Sequence, residues 1–96
     1  MHATVCRYER VVGSIDEVVR ASRGLTWALG QAPGFIAYVV VDAGDGALTS
    51  VSVFETRAEL EAADRVAGRW LATHLGAALP HPPCVSTGEI VIQKGL

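Results

Sequence analysis

Two helix-start signatures constrain what this chain can fold into, because each follows an extended apolar stretch and opens a helical one. Ser14 with Glu17, and Thr56 with Glu59, place a hydroxyl and a carboxylate three residues apart. That is the capping-box spacing, in which the two side chains satisfy orphaned backbone N–H groups at a helix start. Before the first box a strand is expected from Ala3 to Val11, broken by Gly13. After it, Ile15, Val18, Val19, Ser22, Leu25, Thr26 and Leu29 recur at helical spacing, and Gly30 with Pro33-Gly34 ends the helix.

Between that helix and the second box lies a hairpin. Phe35 to Val41 is too short for a helix and rich in β-branched residues, so it reads as a strand. Asp42 to Gly46 supplies residues tolerant of positive φ for a turn, and Leu48 to Glu55 forms the returning strand. The second box launches a long helix to about Leu79, where Pro80, Pro82 and Pro83 forbid continuation. Cys84 to Gln93 reads as the last strand. The order β-α-β-β-α-β, with right-handed crossovers, predicts an α+β ferredoxin-like domain spanning residues 1–96: a four-stranded antiparallel sheet with two helices on one face.

Two helices cover one face of such a sheet, yet the second strand is apolar on both. Phe35, Ala37, Val39 and Val41 are expected to point one way and Ile36, Tyr38 and Val40 the other, and Ile90, Val91 and Ile92 repeat the pattern in the last strand. A second copy presenting the same surface covers such a face and closes its own symmetry. A homodimer through the sheet face opposite the helices is therefore expected.

The formal net charge is −2 and the basic residues are scattered, which leaves no electrostatic footprint for nucleic acid or an anionic membrane. No apolar run approaches the roughly 20 residues of a membrane span, and no leader pattern opens the chain, so a cytoplasmic protein is expected. In that compartment Cys6 and Cys84 read as free thiols. His81-Pro82-Pro83-Cys84 has metal-like spacing but no further ligands nearby, so no metal is assigned. Ser50 and Ser52 share a strand face without a base at recognisable spacing. Trp27 falls on the flank of the first helix with Arg20 and Arg23.

The second helix holds the one constellation with chemical content. At 100° per residue, Leu60, Ala63, Val66, Ala67, Trp70, Leu71, His74, Leu75 and Ala78 share an arc, with Asp64 on its edge. Ala63, Ala67 and Gly68 leave little side-chain volume in mid-stripe. Either the helix packs close to the sheet there, or a cavity remains with Asp64, Trp70 and His74 around it. His74 is then either a core histidine held by a backbone carbonyl or a proton acceptor near neutral pH. Trp70 is either core filling or a platform for a flat ligand.

Pro33-Gly34-Phe35, the run Ser50-Val51-Ser52-Val53-Phe54-Glu55 into the helix start, Ala67 with Trp70, and Gly88-Glu89-Ile90 together resemble the dimeric α/β-barrel proteins of the antibiotic biosynthesis monooxygenase (ABM) type. The likeness is to small actinobacterial-type members of unassigned function, and it covers almost the whole chain. It implies two sheets paired into a barrel with one ligand pocket per subunit between helices and sheet. Several such proteins oxidise polyketide-like aromatics without metal or flavin, so the resemblance implies no cofactor. It implies His74 as the base toward a phenolic substrate, with Tyr8 or Tyr38 binding ring oxygens where their strand face looks into the pocket. The alternative is a non-catalytic, stress-type barrel that binds a small hydrophobic or aromatic molecule. Haem binding or degradation is the third reading. It calls for an asparagine on the first strand and an earlier tryptophan on the second helix, whereas this chain has no asparagine and carries Ala63 near the tryptophan position.

Overall fold

A computed structural model describes residues 1–96. The elements are β1 (His2–Tyr8), α1 (Ile15–Ala21), α2 (Arg23–Gln31), β2 (Phe35–Gly44), β3 (Ala47–Phe54), α3 (Arg57–Leu75) and β4 (Cys84–Glu89). All strand pairs are antiparallel, in the order β2-β3-β1-β4, the ferredoxin-like arrangement. At both expected helix starts the hydroxyl caps the helix. The Ser14 hydroxyl accepts from the Glu17 N–H, and that of Thr56 accepts from the Glu59 N–H at 3.2 Å while donating to the Glu59 carboxylate at 2.9 Å.

Several boundaries differ from the sequence expectation: β2 runs on to Gly44 rather than Val41, and four others have a visible cause. The single first helix is two, α1 and α2, because Ser22 leaves helical geometry (φ −86°, ψ 6°) and its hydroxyl donates back to the Val19 carbonyl at 2.9 Å. A side-chain hydroxyl bonded to its own helix competes with the backbone ladder in this way. β1 stops at Tyr8 rather than Val11 because Arg10 takes a left-handed conformation (φ 55°). The redirected chain is then held by Val11 N–H to the Gly46 carbonyl and Val12 N–H to the Ala78 carbonyl. α3 ends at Leu75 rather than Leu79, its end tightened by Ala78 N–H onto the Leu75 carbonyl. β4 ends at Glu89 rather than Gln93 because its partner runs out: Ile90 N–H reaches the Met1 carbonyl, and beyond it Val91 and Ile92 are exposed.

A register shift between Phe35 and Ala37 corrects the expected facing of β2. An extra residue in one strand flips the side chains that precede it. Phe35 therefore joins the helix-facing side, edge-on to Phe54 (centroids 5.8 Å apart, planes at 79°), while Ala37, Val39 and Val41 pair outward with Val53, Val51 and Thr49.

Two apolar clusters anchor the helices. Leu25, Leu29, Phe54, Leu60 and Ala63 form one, and Val18, Leu48 and Leu75 the other. Phe54, Leu25 and Leu60 are fully enclosed, each contributing roughly 1.5–3 kcal/mol of transfer free energy. Between the clusters the helix-facing surface of the sheet is polar.

Candidate functional site: a cavity between sheet and helices

Strand alternation puts Thr4, Cys6 and Tyr8 of β1, Ser50 and Ser52 of β3, and Tyr38 of β2 on the side that faces the helices. α3 lies over them with Asp64, Ala67, Gly68 and Leu71. Because Ala67 and Gly68 reach only a short way from the helix, the two layers do not close, and a cavity of about 220 Å³ remains. A Cβ added at Gly68 would meet no atom within 4 Å. Leu25, Leu29, Val18, Leu48 and Leu75 from the two clusters supply apolar walls. An apolar cavity of about 150 Å³ already holds benzene, so this one admits a small aromatic molecule.

Asp64 closes one end. The buried Thr4 hydroxyl donates to its Oδ2 at 2.6 Å. Thr4 has one proton to give, so at the 3.3 Å contact between the two threonine hydroxyls Thr87 is the donor. Burial pushes the Asp64 carboxyl above the ordinary carboxylate range; the Thr4 hydrogen bond works against the shift and the neighbouring Glu61 charge works with it. On its other side Asp64 borders an open polar cleft with His2, Arg57, Glu61, Arg65, Thr87 and Glu89. His2 Nδ1 is buried there without a hydrogen-bond partner.

The remaining titratable groups of the cavity are neutral at physiological pH. Burial, reinforced by Cys6, Tyr38 and Asp64, pushes the Tyr8 hydroxyl up to about 12. Burial and Cys6 raise Tyr38. The Cys6 thiol is raised by burial and the Asp64 charge, against a hydrogen bond from Ser50. A thiol with a raised pKa is a poor nucleophile, so the cavity offers two phenols and a thiol as hydrogen-bonding groups. Cys6 and Cys84 are both free, and strand alternation points them to opposite faces of the sheet.

Of the residues singled out from sequence, the structure brings Asp64, Ala67, Tyr8 and Tyr38 together around one cavity. Trp70 and His74 are not among them. His74 is exposed; its Nδ1–H donates to the Trp70 carbonyl at 3.0 Å, and its ring stacks on the indole at 4.2 Å. Trp70 packs over Gly24 of α2, where an added Cβ would lie 3.4 Å from the ring. The pair belongs to the helix–helix seam, outside the lining of this cavity. The expected arc on α3 spans half a turn, and the half through Asp64, Ala67, Leu71 and Leu75 faces the cavity. The haem reading would call on His74 as well, and that histidine is not in the cavity lining. Thr4, Cys6, Ser50 and Ser52 were missed as lining residues. The signal for them was present: polar residues at alternate positions (Thr4-Cys6-Tyr8, Ser50-Ser52) in strands otherwise apolar.

No family model matches the sequence, and no curated protein matches it. Solved structures do match. A protein of unknown function from Nitrosomonas europaea superposes with TM-score 0.80 at 18% identity, over 97% of this chain and 91% of that one. An antibiotic biosynthesis monooxygenase superposes with TM-score 0.74 at 21% identity, over 96% of this chain and all of the other (100%). SnoaB, a cofactor-independent oxygenase from Streptomyces nogalater, superposes with TM-score 0.66 at 18% identity, over 99% and 95%. These likenesses establish the architecture: the chain has the ferredoxin-like fold found in ABM-type proteins. No helix is long and apolar enough to cross a membrane.

Proposed function

We propose that this protein binds a small, largely apolar aromatic molecule in the cavity between sheet and helices, as a homodimer paired through the outer sheet face, and oxidises it without a cofactor. The observation that carries the reading is the inverted sheet. Its helix-facing side holds Thr4, Cys6, Tyr8, Tyr38, Ser50 and Ser52 around a space, while its outer side shows exposed Val5, Val39 and Val41. Apolar walls with a few convergent polar groups are the usual composition of a small-molecule site.

In the oxidative reading, Asp64 accepts a proton from an activated ring position or hydroxyl, and the neutral Tyr8 and Tyr38 hydroxyls donate to ring oxygens. For an anthrone the balance closes with dioxygen alone: the ring CH2 becomes a carbonyl with one oxygen atom, and the other leaves as water. That SnoaB is a cofactor-independent oxygenase on the same fold supports the reading by analogy of architecture.

Filling the cavity tests the proposal. Ala67→Phe puts a ring where the ligand would lie, and Gly68→Ala adds a methyl to open space. Calorimetric titration with naphthol should give micromolar binding to the wild type, loss of at least about tenfold in Ala67→Phe, and near wild-type binding in Gly68→Ala. Binding unaffected by Ala67→Phe places the ligand elsewhere. Oxygen-electrode measurements with anthrone then separate the classes: stoichiometric uptake supports the oxygenase, and binding without uptake leaves a non-catalytic ligand barrel.

A further inference from the structure

Of all side chains lining the cavity, Asp64 alone is charged at neutral pH, and no Lys, Arg or His shares the lining. The two ion pairs of the molecule, Arg7–Glu9 and Arg57–Glu61, leave Asp64 out. Of the cleft arginines, Arg57 is held by Glu61 at 2.9 Å, and Arg65 forms no ion pair with Asp64. Its one hydrogen bond is from Thr4, to Oδ2. The cavity thus ends in a carboxylate that is partly desolvated, without a counter-ion and with Oδ1 open.

We infer that the cavity is built for a small arylalkyl amine in its protonated form, with Asp64 as the counter-ion. The inference rests on the cavity being a ligand site; it adds the charge of the ligand and makes Asp64 a counter-ion in place of the base of the oxidative reading. Folding has already met the cost of withdrawing Asp64 from water, so an ammonium group gains a charge-assisted hydrogen bond against a pre-desolvated partner. Tyr8 and Tyr38 line the same cavity, where the ring of such a ligand would lie. A neutral hydroxyl of the same shape gains a hydrogen bond to the carboxylate but no ion pair. A carboxylate meets repulsion from Asp64, with no cation in the lining to offset it.

Three probes of similar size and opposite charge test this: phenethylamine, phenethyl alcohol and hydrocinnamate, titrated calorimetrically at neutral pH. In the wild type the amine should bind at least about tenfold more tightly than the alcohol, a difference of about 1.4 kcal/mol, and hydrocinnamate should not bind. In Asp64→Asn the amine should lose its advantage, with the alcohol little changed. A wild type that binds alcohol and amine equally, or an Asp64→Asn variant that keeps the preference, overturns the inference. Should Asp64→Asn not fold, the wild-type ranking decides alone. If naphthol binds but the three probes show no order, the charge assignment fails while the cavity remains a ligand site. If none of the four binds, both fall.

Discussion

At the scale of single residues, the cavity is defined by groups kept neutral beside one that is charged. Tyr8 shows the energetic consequence most directly. Folding raises its pKa to about 12 through burial and the nearby Cys6, Tyr38 and Asp64, so the folded state holds a proton that the unfolded chain releases earlier. The associated stability is complete below the ordinary tyrosine value and is lost as pH rises through about 12. Alkaline titration should therefore show the tyrosinate absorbance rising together with loss of far-ultraviolet circular dichroism. Tyr8→Phe, which removes this ionisation, should shift alkaline unfolding to higher pH. Ionisation of both tyrosines with the dichroism intact would mean that Tyr8 is not enclosed as described. The same scale explains what the sequence concealed about His74. A helical wheel ranks residues by angle, but it does not say which neighbour occupies each sector. On α3 the sheet faces Asp64 and Leu71, while α2 receives Trp70 through the gap at Gly24.

At the scale of elements, signals that are local in chain and in space were legible, and those set by a partner element were not. The helix starts at Ser14 and Thr56 needed only four residues each, and both hydroxyls cap as read. The end of β4 depended on where β1 starts, at the opposite end of the chain, and the shift at Ile36 depended on pairing with β3. Thr56 also carries a prediction. Its hydroxyl both caps the Glu59 N–H and donates to the Glu59 carboxylate, and α3 forms the roof of the cavity. Thr56→Ala should cost about 1 kcal/mol, read as a lower urea midpoint with an unchanged slope. Thr56→Ser should restore most of it. Gly34 sits against the same carboxylate in a left-handed conformation (φ 77°), which ties the β2 entry to the start of α3.

At the scale of the whole molecule, the outer face of the sheet carries the proposed assembly. In register, Val5, Val51 and Val39 form a row across β1, β3 and β2, with Ala3, Val53 and Ala37 beside it. Val5, Val39 and Val41 are exposed, Val39 by 52%. Small and β-branched side chains make this face smooth enough for a second sheet to approach, and burying it returns about 25 cal/mol per Å² of apolar surface before the cost of association. A twofold copy places Val39 against an equivalent apolar surface, so a charge introduced there must be desolvated in both subunits at once. Val39→Lys should therefore convert a wild-type dimer into a monomer at micromolar concentration in sedimentation equilibrium. Its side chain points away from the cavity, so the monomer should keep the circular dichroism of the fold. Thr49→Ser, a mild change on the same face, should leave the dimer intact and control for general damage to β3. A wild type that sediments as a monomer at every concentration would leave the valine row without a partner copy and remove the dimer from the proposed function, while the cavity, enclosed within one chain, would stand.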